Sequence, residues 1–466
     1  MLFDFKAHGE DPALVAEDLR VFSYRELSEL SSAFAEMVKP RALVFMLCRN
    51  TPGMIACYAG LLNKGAVPLL LGSRIAKEAL LALIKIYRPS YIVSPSEISV
   101  EGRPLLECEG VRVYETGEGN PPVLHENLAL LLSTSGSTGS PKLVRISLKN
   151  LESNARSIIK SLAITKDNRA ITALPMNYSY GLSVINTRLL SGASLAVTSS
   201  GLMQKPFWEL FDRAGVNSLS GVPYSYEMLK RLGFTRKEYP NLKVMDQAGG
   251  HLDEVLQKEF SEYCASHGIR FYLMYGQTEA TARMACLPFK YAQSKPGCAG
   301  LAIDGGKFSI RDENGAVISS PSAEGRLFYE GPNVAMGYAT DACDLKKGDE
   351  WRGVLDTGDR ALMDEDGFIF IKGRESRFLK VYGNRLSLDD CALMAERYFK
   401  GIKAACAGRD DLVMVCFEGE ADPVLVREYL SEATHLNKRA FKVAKLAALP
   451  RSSSGKILYR ELEKYF

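Results

Sequence analysis

The chain is poor in the groups that mark several protein classes. It has two tryptophans and five histidines in 466 residues. The histidines, His8, His125, His251, His267 and His435, lie far apart and show no metal-ligand spacing, so a structural metal is not expected. The ten cysteines form no Cys-x-x-Cys pair, and buried free thiols in a reducing compartment are the expectation. No run approaches the roughly 18 apolar residues of a membrane-spanning helix. The first ten residues lack the apolar stretch of a signal peptide, and a cytoplasmic location is expected. Net charge is only +3, from 58 basic and 55 acidic side chains. With no basic–aromatic cluster either, a nucleic-acid partner is not expected. The P-loop spacing is also missing. Lys142 follows a proline, and Gly455-Lys456 is followed by Ile457 where a Ser or Thr is needed.

What remains is an ordinary globular composition, 46% apolar and 24% charged, in a chain too long for one core. Short apolar runs at 42–48, 91–93, 128–132, 170–174, 194–197, 243–245 and 270–274 read as buried strands. Amphipathic segments such as 150–162 and 252–266 read as helices between them, and the apolar stretch 54–62 as a buried helix. This alternation predicts layered α/β structure with mostly parallel strands. From about 296 to 372 glycines and tight turns multiply, which predicts a small β subdomain, barrel-like in character. A short mixed tail follows.

The strongest local signal is 133–142, Ser-Thr-Ser-Gly-Ser-Thr-Gly-Ser-Pro-Lys, directly after an apolar strand. Gly136 and Gly139 let backbone N–H groups converge on one anion. Thr134, Ser135, Ser137 and Thr138 add hydroxyls and Lys142 a positive charge. The loop suits a polyphosphate; a flexible Ser/Gly surface loop is the plainer alternative.

Further motifs follow in order: 174–181, Leu-Pro-Met-Asn-Tyr-Ser-Tyr-Gly; 248–252, Ala-Gly-Gly-His-Leu; 274–280, Met-Tyr-Gly-Gln-Thr-Glu-Ala; 356–359, Asp-Thr-Gly-Asp; Gly373-Arg374; and 450–457, Pro-Arg-Ser-Ser-Ser-Gly-Lys-Ile. Together with the loop, this series resembles the acyl-adenylate-forming superfamily, which includes acyl-CoA synthetases, nonribosomal peptide adenylation domains and firefly luciferase. The resemblance runs over nearly the whole chain. It implies a large N-terminal domain, 1–374, and a small mobile α+β C-terminal domain, 375–466. It also implies ATP and Mg²⁺ as reactants, a small carboxylic acid as substrate, and CoA or a phosphopantetheinyl carrier protein as thiol acceptor.

By the same resemblance, Gly249, Gly250 and His251 form the turn against adenine, with Gly276 beside it. Tyr275 stacks on the base; a core tyrosine at a strand end is the alternative. Thr278 donates to the α-phosphate. Glu279 ligates Mg²⁺, a hard cation suited to carboxylate and phosphate oxygens; a helix N-terminal acid is the alternative. Asp359 accepts from the ribose hydroxyls, and Arg374 contacts ribose and phosphate. Lys456 bridges two anions as the carboxylate attacks phosphorus. Ser376 takes the hinge position, and Lys380 and Gly383 match a segment that faces the site for thioester formation.

The sequence departs from the family pattern at four places. Ser147-Leu148 stands where a Ser/Thr-His pair is common, Tyr178 where an acyl-pocket histidine is found, and Gly325-Arg326 where Gly-Glu is usual. At the hinge, Ser376 replaces Asp or Lys. Tyr178, Ser179, Tyr180 and Arg283 are expected to line the acyl pocket. No acid falls in 180–184 to bind an ammonium, so an acid without an α-amino group is expected. Two tyrosines favour an aromatic or compact, partly polar acid. Arg283 reads either as the partner of an anionic or hydroxylated substrate group or as an outward-facing surface arginine.

Overall fold

A computed structural model describes residues 2–117, 119–133, 142–382, 384–452 and 455–465. The chain divides into two compact units, one of residues 1–308 with 329–355, the other of 309–328 with 356–466. This division falls at a different place from residue 374. It groups most of the glycine-rich β segment with the tail.

The first unit contains two large sheets. One has nine strands, in the order Leu301–Ala302, Ala285–Leu287, Arg270–Tyr275, Val244–Gln247, Ser218–Gly221, Arg169–Ile171, Ser194–Ala196, Pro12–Val15, Val21–Ser23. Its centre is parallel and its edges antiparallel. The other has eight strands, with a parallel core of Leu128–Ser133, Val67–Gly72, Leu43–Cys48 and Tyr91–Pro95. Strand Leu43–Cys48 is buried at every position, as a parallel strand covered on both faces must be. All seven apolar runs read as strands from the sequence are strands, within two or three residues at their ends.

Helix Pro52–Lys64 carries the apolar stretch and is buried from Gly53 to Leu62. Thr51 caps its start, and Gly65, in the left-handed conformation, closes its end. It lies close to helix Tyr24–Glu36. A Cβ at Gly60 would stand 2.1 Å from the Ser31 carbonyl oxygen, so only glycine fits there. Helix Ser179–Ser191 is also core, buried from Ser179 to Leu189. Eight of the ten cysteines are buried, and all ten are free thiols.

The second unit holds most of a four-stranded sheet, in the order Lys307–Arg311, Gly325–Glu330, Val354–Met363, Ile369–Arg374. It continues with the hairpin Phe378–Val381 and Asn384–Ser387. A three-stranded sheet, Lys403–Arg409, Leu412–Glu418 and Phe441–Lys445, follows with helices Leu388–Tyr398 and Pro423–Thr434. That sheet and those helices enclose their own core around Val413, Val415, Phe417, Val426 and Leu430.

Candidate active site

Strand Leu128–Ser133 leads into the glycine–hydroxyl loop, and strand Leu143–Ser147 leaves it, paired antiparallel with the first. Thr134, Ser135, Gly136, Ser137, Thr138 and Gly139 lie outside the described residues. Lys142 is exposed, with its Nζ 5.4 Å from the centre of the Tyr338 ring, within cation–π range. Ser147, the departure from the Ser/Thr-His pair, caps helix Leu148–Leu162 in a reciprocal box with Asn150.

Strand Arg270–Tyr275 ends at partly buried Tyr275, whose ring centre lies 6.4 Å from that of Phe308. The chain then turns tightly through 276–283. Gly276 is obligatory, because a Cβ there would meet the Ala282 carbonyl oxygen at 1.8 Å. Thr281 and Ala282 have φ of +59° and +129°, conformations that cost energy outside glycine. The turn is held from outside. Asn333 Nδ2 donates to the carbonyls of Ala280 and Arg283, at 2.9 and 3.1 Å. Asn154 Nδ2 donates to the Arg283 carbonyl at 2.7 Å. Thr281 Oγ1 donates to the Asn333 carbonyl at 2.7 Å.

Two side chains of this turn face different chemistry. Glu279 accepts a hydrogen bond from the Tyr338 hydroxyl at 2.8 Å. Tyr338 therefore touches both Glu279 and Lys142. Its backbone is fixed by fully buried Arg145, whose Nε donates to the Tyr338 carbonyl at 3.0 Å and whose Nη2 donates to that of Met336 at 3.1 Å. Burial pulls the Arg145 pKa down, opposed by Glu350 and Asp344. Thr278 Oγ1 lies 3.1 Å from Ser179 Oγ. That contact joins the Thr-Glu turn to the acyl segment at the start of the buried helix.

The acyl segment brings Tyr178 and Tyr180 together edge to face, with centroids 6.2 Å apart. Burial raises both phenol pKa values. The Tyr180 hydroxyl donates to Asp246 Oδ2 at 2.6 Å. Arg283 is 1% exposed, which rules out an outward-facing arginine. Its guanidinium sits 4.6 Å over the Tyr180 ring, and its Nη2 is 3.3 Å from Asp246 Oδ2. The neighbouring turn is shaped by Gly249, at φ +85°, where a Cβ would come within 2.4 Å of the Tyr178 hydroxyl. Gln247 Nε2 donates to the Gly250 carbonyl at 2.9 Å. His251 is exposed on that turn.

Asp359, Arg374 and Lys456 belong to the second unit. Asp359 and Arg374 face each other across an antiparallel pair, with Arg374 Nε 3.2 Å from Asp359 Oδ1. Lys456 sits on a pinned loop. Its backbone N–H donates to Ser452 Oγ at 3.1 Å, its carbonyl accepts from the Ser452 N–H at 2.8 Å, and Arg451 bridges to Ile457. Gly383 and the side chains of Ser376 and Lys380 lie outside the described residues; the Ser376 backbone falls in the short turn Glu375–Arg377.

Sequence reading missed Tyr338, Asp246, Asn154 and Asn333. For Asp246 a signal existed: an acid between Met245 and Gln247 in an apolar strand has to find a buried partner. For Asn154 and Asn333 there was none, because their targets lie 129 and 50 residues away.

A braced Thr-Glu turn beside an edge-to-face tyrosine pair, set on layered α/β sheets, fits an enzyme that handles a nucleotide. The AMP-binding enzyme family model matches residues 4–339, and the chain belongs to that family. Among its relatives, the 2-succinylbenzoate–CoA ligase of Bacillus mycoides (strain KBAB4) is 27% identical over 446 residues, which cover 92% of this chain and 89% of that protein. The corresponding Bacillus anthracis (strain A0248) ligase is 27% identical over 439 residues, 90% of this chain and 88% of that protein. The fold is similar to that of O-succinylbenzoate coenzyme A synthetase from Bacillus subtilis in complex with ATP and magnesium ion (TM-score 0.78, 22% identity, 97% of each chain). It is likewise similar to ATP-bound MatB from Rhodopseudomonas palustris (TM-score 0.78, 20% identity, 99% of this chain and 98% of that one). Among the described residues, no helix is long and apolar enough to cross a membrane.

Proposed function

We propose that this enzyme is an acid–thiol ligase that activates a carboxylic acid with ATP and passes the acyl group to CoA. In the first step a carboxylate oxygen attacks the α-phosphorus, the bond to the β-phosphate bridging oxygen breaks, and pyrophosphate leaves. In the second the thiolate sulfur attacks the acyl carbon and AMP leaves. The observation that carries this reading is the braced turn 276–283. It sets Thr278, a phosphate donor, against Ser179 of the acyl segment, inside a chain of the AMP-binding family.

Each residue has a proposed role. Thr134, Ser135, Gly136, Ser137, Thr138, Gly139 and Lys142 receive the polyphosphate. Tyr275, Gly276 and the turn Gly249, Gly250, His251 receive adenine, and Asp359 with Arg374 the ribose. Glu279 is the Mg²⁺ ligand. One carboxylate completed by phosphate oxygens is a common arrangement for this ion, and no cluster of three or more potential ligands occurs among the described residues. When bound, Mg²⁺ neutralises phosphate charge. Lys456 lowers the repulsion between the carboxylate and phosphate anions. For the second step, a swing of the C-terminal domain about Ser376 brings Lys380 and Gly383 to the site and withdraws Lys456.

CoA is favoured over a carrier protein because the curated relatives cited are CoA ligases. 2-Succinylbenzoate is the first acid to try. Pyrophosphate release over a panel of carboxylic acids, followed by thioester formation with CoA against a phosphopantetheinyl carrier protein, tests both halves. Pyrophosphate release dependent on acid and Mg²⁺ is expected. Its absence with every acid would overturn the reading, and faster transfer to the carrier would replace CoA as acceptor.

A further inference from the structure

We propose that the first unit carries a second binding site, for a small alkylated ammonium ion, in an aromatic-walled cavity remote from the nucleotide turn. The proposal is independent of the ligase reading. The cavity encloses about 300 Å³, and its lining includes Trp208, Phe211 and Tyr239 with Asp212, Lys237 and Glu238. That volume is at the lower end of the range for small-molecule sites. Val216 and Asn241 also line it. They precede the parallel strands Ser218–Gly221 and Val244–Gln247, whereas the turn at Gly249 follows the second of them. The cavity and the turn proposed for adenine therefore lie at opposite ends of one sheet.

Helix Lys205–Arg213 supplies Trp208, Phe211 and, one turn after Trp208, Asp212. The segment 237–241 supplies the opposite wall and is tied down by Tyr263, whose hydroxyl donates to the Lys237 carbonyl at 2.8 Å. The rings of Trp208, Phe211 and Tyr239 form a triangle with centroids 5.4, 5.8 and 6.0 Å apart. Phe211 stands at 82° to Tyr239 and at 54° to Trp208, so the walls meet at steep angles instead of stacking flat. Buried Phe234 stacks on Tyr239 at 4.2 Å and braces it. Trp208 Nε1 already donates to the Leu202 carbonyl at 2.8 Å. Half-buried Trp208 thus offers a ligand π surface alone, and the negative face of an aromatic ring attracts a cation.

The charges agree with the rings. Asp212 and Glu238 are exposed, and among the described residues neither carboxylate has a hydrogen bond or an ion pair. Among the described residues that line the cavity, Lys237 is the only cation, and it pairs with neither acid. The lining keeps one net negative charge. Burial, helped by Asp212, pushes the Tyr239 phenol up to about 12, so that ring stays neutral at physiological pH. A hydrated metal ion gains little from walls of Val216, Leu232 and aromatic carbon. A neutral apolar ligand leaves both acids idle. An alkylated ammonium uses rings and acids together.

The test is calorimetric titration of the full chain with choline, and with its neutral isostere 3,3-dimethylbutan-1-ol, at constant ionic strength. The native chain is expected to bind choline with a Kd of about 1 mM and the isostere at least about tenfold more weakly. Asp212→Asn/Glu238→Gln, altered only at exposed positions, should keep its thermal midpoint and lose about fivefold in choline affinity. Trp208→Leu should lose about tenfold or more. Saturating ATP with Mg²⁺ should leave the choline Kd within about twofold, as remote sites require. Absence of choline binding at about 50 times that Kd overturns the proposal, as does equal binding of the isostere. So does displacement of choline by ATP, or a native choline Kd in either folded variant. If Trp208→Leu does not fold, the double variant decides.

Discussion

Tyr338 gives its hydroxyl to Glu279 and its ring face to Lys142, so one phenol sets the place of an acid and a base that both serve phosphate in the proposed reaction. Tyr338→Phe keeps the ring and removes the hydroxyl. Losing a hydrogen bond to a charged group costs about 1.5–3 kcal/mol. The Mg²⁺ concentration for half-maximal pyrophosphate release is therefore expected to rise by about tenfold, with the melting temperature within a few degrees of native. Lys456→Ala removes a half-buried cation from the loop next to Ser452. It should lower adenylation by about 10²–10³-fold and leave stability and ATP binding near native, read by single-turnover acyl-AMP formation. At this scale the sequence pointed to residues grouped in a short motif, such as Thr278 and Glu279, whose roles are proposed above. It hid the partners supplied from afar. Tyr180 and Asp246 meet only because a buried helix and a central strand pack together, and nothing in either segment alone names the other.

The turn 276–283 is the element on which the site depends. Gly276 faces the Ala282 carbonyl at a distance that admits no side chain, and Thr281 and Ala282 hold left-sided φ values. Gly276→Ala is expected to cost about 2–3 kcal/mol of stability through overpacking. It should also weaken ATP binding more than tenfold, checked by thermal unfolding with and without ATP. Seven strands of the two sheets were legible because buried parallel strands read as unbroken apolar runs bounded by turn residues. Helix Ser179–Ser191 was not. Its burial on nearly every side erases the one-sided pattern that marks an amphipathic helix.

On the scale of the whole molecule, the sequence placed the domain boundary by a motif, at Gly373-Arg374, while the chain's own packing divides at 308/309, 328/329 and 355/356. The two criteria answer different questions. Packing reports which strands share a core, and the motif reports where a backbone is proposed to turn during the reaction. Ser376→Pro bears on the second. A fixed φ at the proposed pivot is expected to slow thioester formation by at least tenfold while leaving pyrophosphate release within about threefold. The two rates are measured separately by quenched flow, and equal losses in both would remove Ser376 from the pivot.

Asn154 and Asn333 each grip the carbonyl of Arg283 from a different part of the first unit. The strip proposed to line the acyl site is thus bolted at its far end to helix Leu148–Leu162 and to the segment preceding Tyr338. Anyone retuning this catalyst for a new acid by transplanting 278–283 from a cousin would be importing a bracket without its screws. The transplant should succeed only when the two asparagines, or equivalents matched to the donor, travel with it.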